Sequence, residues 1–204
     1  MLFKDSYYIP TKACEGLYKE KGSKFIAYAF PVFSEEDIKE RLQEIRKKEY
    51  SARHHCYAYT LYPDKSAWRA NDDGEPANTA GKPILGQIQS KDLTNILIIV
   101  VRYFGGVKLG VSGLITAYRT AAADALKQIT IEKYFVKEIY EVAFQYPQMN
   151  EVMRLVKDKS LEVINQDFQI NCKITFAIRK SQADVVVAAF KNNHELTINY
   201  QKTI

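Results

Sequence analysis

The apolar and polar positions of this chain alternate with two periods. Residues 6–14 and 24–32 are rich in aromatic and β-branched side chains and read as strands, with residues 16–23 as the turn between them. Ser34 opens a helix. Asp37 completes a variant capping box three residues on, and Ile38, Leu42 and Ile45 give the helix an apolar stripe with charged residues around it. Residues 54–61 read as a strand, residues 63–78 as a long polar loop, and Thr79 as the cap of a short helix near residues 83–89. Residues 95–103, NILIIVVRY, form a β-branched run suited to a central strand covered on both faces. A glycine-rich loop over residues 105–113 follows, then an alanine-rich helix over residues 114–128 that can approach a sheet closely.

The last part is plainer. Residues 138–145 alternate as a strand. Residues 148–159 are helical, with Val152, Leu155 and Val156 inward. Residues 161–165 and 168–179 read as an antiparallel pair around Gln166-Asp167. Ser181 caps a helix through Phe190, and residues 195–200 close the sheet. The order βαββαβ is that of a ferredoxin-like unit. All nine glycines lie between Gly16 and Gly113, so composition and pattern change together. An α+β chain of two domains is expected, residues 1–132 and 133–204.

Composition narrows the class. With 204 residues, 47% apolar and 26% charged, the chain is not disordered, collagenous or fibrous. Its longest apolar run, residues 96–101, is too short to span a bilayer. The opening MLFKDSYYIP lacks the apolar stretch of a secretory signal, so a cytoplasmic protein without membrane contact is expected. Cys14, Cys56 and Cys172 make neither a disulfide framework nor a CxxC site and read as buried or incidental thiols. The formal net charge of +5 permits an anionic partner without demanding one, because the basic residues form no tail or cluster.

Three segments can carry chemistry. In Arg53-His54-His55-Cys56, strand alternation puts Arg53 and His55 on one face and His54 and Cys56 on the other. Neither a metal site nor a Cys–His nucleophile pair follows, because further ligands are lacking and adjacent strand residues point apart. The second segment holds Asp72, Asp73 and Glu75, followed by Thr79. Its carboxylates can hold Mg²⁺ or exchange protons, but Asp-Gly and Glu-Pro equally make a solvated turn. The third comprises Arg102, Tyr103, Phe104, Gly105, Gly106, Lys108, Gly110, Ser112 and Gly113, between a strand and a helix. Its glycines can turn amides toward an anion at a helix start, with Arg102 and Lys108 adding charge. Val111-Ser112 stands where a Walker A loop has Lys-Ser/Thr, so it is not that loop. A glycine-rich turn packed on the sheet is the alternative.

DDGEPANTAG (residues 72–81) and VVRYFGGVKLGVSGLITAY (residues 100–118) resemble the signature of the IMPACT family and its bacterial YigZ branch, and RHHCYAY (residues 53–59) resembles that family's histidine-containing strand. The likeness covers about residues 1–130, with the remainder similar to the small second domain of bacterial members. Ser112 and Asn78 replace glycines found in many members; Asn tolerates a left-handed backbone better than most residues. The resemblance implies a first domain like the second domain of a small-subunit ribosomal protein and domain IV of elongation factor G. It implies a second domain like domain V of that factor. Eukaryotic members bind a translational regulator and restrain the amino-acid-starvation kinase response. The expected function is therefore that of a non-enzymatic, translation-associated regulatory protein binding RNA or the ribosome. Arg102 and Lys108 would contact phosphates, Tyr103 or Phe104 would stack on a base, and Arg53 and His55 would border that surface. No catalytic residue, cofactor or metal is implied. Two alternatives stand beside this reading. One is a nucleotide-binding or phosphoryl-transfer protein, because Gly110 to Leu114 is faintly similar to the phosphate loop of small-molecule kinases sharing the first domain's fold. The other is a protein–protein adaptor in stress regulation.

Overall fold

A computed structural model describes residues 5–169 and 171–204. The chain forms two compact units. One is Tyr7–Tyr134; the other is Phe135–Ile204 together with Asp5 and Ser6. The division thus falls two residues beyond the expected 132/133 boundary, and the second unit takes residues from both ends of the chain.

The first unit is built on a five-stranded antiparallel sheet. Its strands are β2 (Cys14–Glu20), β3 (Ser23–Pro31), β4 (His54–Leu61), β5 (Ala67–Asn71) and β6 (Ile96–Tyr103), ordered β2-β3-β6-β4-β5. Central β6 is covered on both faces, as its β-branched run predicts. Ile96, Ile98 and Val100 join the core beneath α2 (Gly81–Ser90) and α3 (Gly110–Lys127). Leu97, Ile99 and Val101 join the core beneath α1 (Glu35–Lys48). The Ser34–Asp37 capping box is present, with the Asp37 amide donating to Ser34 Oγ at 3.1 Å. β1 (Ser6–Pro10) pairs with β7 (Ile131–Phe135), a strand with no clear sequence signal.

Three local expectations are corrected. The first turn is two residues, Lys21-Gly22, both at positive φ, so residues 16–20 belong to β2. The polar segment 63–78 contains β5, an edge strand too short and polar to show a pattern. α3 begins at Gly110 rather than residue 114. Gly16 is therefore no turn residue. A Cβ there would lie 2.3 Å from the Ala125 amide nitrogen, so its hydrogen lets α3 approach the β2 backbone.

The second unit is ferredoxin-like. β8 (Lys137–Phe144), α4 (Met149–Asp158), β9 (Glu162–Asp167), β10 (Cys172–Arg179), α5 (Ala183–Lys191) and β11 (Thr197–Thr203) follow in that order, and the antiparallel sheet runs β11-β8-β10-β9. Its core includes Val142, Val152, Ile174, Phe176 and Phe190, the last two rings stacked at 5.3 Å. The β9–β10 connection lies just beyond the expected Gln166-Asp167. Ser181 sits in a 3₁₀ turn, not at the cap of α5. Arg179 donates from Nε and Nη2 to the Asp5 carboxylate at 2.6 and 3.0 Å and lies 3.8 Å from the Phe135 ring centroid. Hydrogen bonds from Arg179 and Ser181 hold the Asp5 carboxyl well below the usual range. Among the described residues, no helix is long and apolar enough to cross a membrane.

Gly16→Ala forces backbone against backbone. It is expected to lower stability by about 1–3 kcal/mol, read as a lower urea midpoint at unchanged slope. An unchanged midpoint would mean that α3 can withdraw from β2 freely.

Candidate functional site

The start of β4, the end of β6, the 72–81 loop and the start of α3 enclose a cavity of about 450 Å³. Arg53, His54, Glu75, Arg102, Lys108 and Gly110 line it, with Pro76, Phe104, Leu109, Val111 and Leu114 as its apolar wall. Three cations and one carboxylate give this lining a formal charge of +2. Arg53 and Lys108 are exposed and have no ion pair among the described residues.

Beneath the cavity runs a buried polar network. Arg102, the last inward residue of β6 on the α2/α3 face, is 7% exposed. Its Nη1 donates to Glu75 Oε1 at 2.7 Å, and the Tyr118 hydroxyl donates to the same oxygen at 2.8 Å. Phe25 and Phe104 each place a ring centroid 5.5 Å from the guanidinium carbon. Arg102 Nε is buried without a hydrogen-bond partner. The Cys56 thiol lies 3.0 Å from the Asp72 carbonyl oxygen and 3.4 Å from the Tyr118 hydroxyl. Burial pushes this thiol and the Tyr118 hydroxyl far up, so both stay protonated at neutral pH.

The acidic loop serves the backbone. Asp72 accepts from the amides of Asn78 (2.8 Å), Ala80 (2.9 Å) and Gly81 (2.8 Å), capping α2 from outside the helix. Thr79, the expected cap, instead donates its hydroxyl to the Pro76 carbonyl at 2.7 Å. Asp73 accepts from the His55 amide at 2.7 Å and from Arg46 at 3.2 Å. Asp72 and Asp73 are thus occupied by the chain's own donors, and neither lines the cavity. Asn78 adopts φ +66, the left-handed region that the sequence assigned to a glycine or Asn.

The two histidines part company. His54 Nδ1 lies 2.8 Å from the Asp73 carbonyl oxygen, an atom that only accepts. The proton of the neutral ring is therefore on Nδ1, and Nε2 is an acceptor. His55 faces the other side of the sheet, its Nε2 3.1 Å from the Glu49 carbonyl oxygen. Burial pulls the His55 pKa down. Tyr103 is on that far side too. Its hydroxyl donates to Glu49 at 2.6 Å, so the expected base-stacking role falls to Phe104 alone, 53% exposed at the rim. Arg53 precedes β4 and escapes its pleat, which is why it lines the cavity beside His54 instead of sharing a face with His55.

The glycines divide by purpose. A Cβ on Gly105 would lie 1.9 Å from the Gly22 carbonyl carbon, so this glycine packs the loop onto the β2–β3 turn. Gly106 and Gly110 have φ of +88° and +72°. Ser112 and Gly113 do not line the cavity; they border an adjoining, shallower hollow with Glu20 and Lys21, and Leu109 is common to both. The first turn of α3 has no acidic residue and no side-chain cap, so its amides are left to an external acceptor. Sequence reasoning missed Val111, Leu114, Tyr118 and the role of Cys56. The spacing of Leu114 and Tyr118 by four was a usable signal, since it puts them on one helix face.

Removing one partner of a buried ion pair strands the other. Glu75→Gln is expected to cost about 3–5 kcal/mol in urea unfolding, and Tyr118→Phe about 1 kcal/mol. The double variant should fall short of the sum, because both groups share one oxygen. A Glu75→Gln variant as stable as wild type would show that the pair does not hold the loop.

Comparison with known proteins agrees with this architecture. The Impact N-terminal domain model matches residues 21–126. The chain is 34% identical over 174 residues to an IMPACT family member of Haemophilus influenzae, covering 84% of each protein. It is 34% identical over 167 residues to the IMPACT family member YigZ of Escherichia coli, covering 81% of this chain and 82% of that one. A crystal structure of a hypothetical protein matches with a TM-score of 0.71 at 29% identity, over 98% of this chain and 99% of the other. Identity at this level over more than four fifths of the chain, with the family's domain spanning the cavity and its network, places the chain in the IMPACT family.

Proposed function

We propose that this chain is a translation-associated regulatory protein that contacts RNA, on the ribosome or free, through the cationic cavity at the start of α3. The observation that carries the reading is the lining itself. Exposed Arg53 and Lys108 stand beside an uncapped helix start, with no ion pair among the described residues to neutralise them. Such an arrangement favours phosphate, and most protein–nucleic acid hydrogen bonds are made to the backbone. Phe104 offers a free face for an unpaired base. Membership in the IMPACT family supports the translation side of the reading.

The geometry revises the roles within the site. Arg102 is paired with Glu75 through Nη1 and flanked by two rings, so it shapes the cavity and offers it at most one remaining edge, while Arg53 and Lys108 make the long-range contacts. The occupied carboxylates of Asp72 and Asp73 and the displaced Ser112 give phosphoryl transfer no support here.

Co-sedimentation with ribosomes across a salt series tests this. Wild type is expected to bind. Arg53→Ala with Lys108→Ala is expected to weaken binding and flatten the log–log salt slope by about 1.4, the share of two single-strand phosphate contacts. Wild-type binding that the double variant keeps, with its full slope, would place the interface elsewhere. No binding by wild type would remove the reading.

A further inference from the structure

A formal +2 is more than one internal phosphodiester needs, and the cavity is larger than a phosphate fills. We propose that it captures a nucleoside 5′-monophosphate, with the terminal phosphate monoester as the recognised group, either as a free nucleotide or as the 5′ end of an RNA. This deepens the preceding reading and rests on the part of it that makes the cavity an anion site.

Four observations converge. First, the wall at the start of α3 lacks both an acidic residue and a side-chain cap, so its amides need an acceptor. Second, Arg102 lines the same cavity, is more than nine-tenths buried, and has a buried Nε with no partner; among the described residues only its Nη1 is hydrogen-bonded, to Glu75. Nη2 has no partner among the described residues and is not sealed off as Nε is, so it is the donor left for an oxyanion at this wall. Third, Arg53 and Lys108 add two uncompensated charges, matching a monoester, which carries a charge of about −1.5 to −2 at neutral pH. Fourth, part of the lining is apolar, with Leu114 inside and Phe104 and Val111 exposed at the rim.

The volume sets the ligand's size. About 450 Å³ lies within the range of small-molecule sites, about 300–1,000 Å³. The phosphate takes one end, and a planar base can lie on the Phe104 face not taken by Arg102. His54 also lines the cavity, and in the neutral tautomer argued above its Nε2 is an acceptor. It calls for a donor on the ligand, which a ribose hydroxyl supplies.

Calorimetric titrations with adenosine 5′-monophosphate and with adenosine test the phosphate directly. The monophosphate is expected to bind at least about tenfold more tightly than the nucleoside. Lys108→Ala should weaken it about tenfold. Val111→Glu separates binding from folding. Val111 is 60% exposed in the first turn of α3, where an acidic residue suits the helix, so the thermal midpoint should hold or rise while nucleotide binding is lost. Equal affinity for the two ligands, or nucleotide binding retained by Val111→Glu, overturns the proposal.

A single-stranded RNA made with and without a 5′ phosphate separates the sources. Tighter binding of the phosphorylated strand assigns the site to RNA ends. If both strands bind equally and both lose affinity in Arg53→Ala with Lys108→Ala, the terminal-phosphate proposal fails and RNA contact stands. If the mononucleotide binds and neither RNA nor ribosome does, the proposal stands with the free nucleotide as ligand, and the RNA reading falls.

Discussion

The Arg102–Glu75 pair is the constraint on which the site depends. Arg102 closes the most buried strand of the first unit, where a guanidinium can be held only with a partner and supporting contacts. Glu75 supplies the charge, and its position fixes where the 72–81 loop crosses the sheet. Tyr118 ties α3 to the same carboxylate oxygen. One oxygen therefore registers strand, loop and helix against one another, and the cavity is the space these three leave above it. The two rings beside Arg102 exclude water from the pair, so the low local dielectric strengthens it.

Around this junction, polar groups are satisfied locally. Asp72 closes the start of α2, a helix whose own cap residue, Ala80, has nothing to offer. Asp73 holds the start of β4 through the His55 amide and orients His54 through its carbonyl oxygen. The start of α3 alone is left open. Two helices begin within the same region, then, and only one has an internal anion at its amino end. That asymmetry distinguishes a structural carboxylate from a place where a negative group must come from outside.

Much of the fold was legible because periodicity records burial. NILIIVVRY reports two covered faces directly, and the βαββαβ order of the second unit follows from alternating strands and amphipathic helices. β5 and β7 were not legible: short, exposed strands carry no alternating apolar signal. The site was half legible. Arg53, His54, Glu75, Arg102 and Lys108 all fell within the three segments singled out, at a strand start, in a polar loop and in a glycine-rich loop. What sequence could not supply was the division of labour within it. Asp72 and Asp73 read as candidate ligands because a carboxylate bound to amides and a free one look alike in a string. Tyr103 and Phe104 are adjacent, and only the pleat decides that one turns to Glu49 and the other to the cavity. Gly16 and Gly105 read as turn residues, yet their reason is contact between backbones distant in sequence.

The Asp5–Arg179 clamp has a bearing on how the chain is made. The two residues are 174 positions apart and belong to the same compact unit. A ribosome releases Asp5 well before Arg179. The first unit can close while the second is still being synthesised. The ferredoxin-like unit cannot complete itself in the same way, because one of its ion-pair partners lies far upstream of the other and must wait for it. Its assembly is thus tied to the arrival of a strand far downstream, and a local clamp in space becomes a long interval in time.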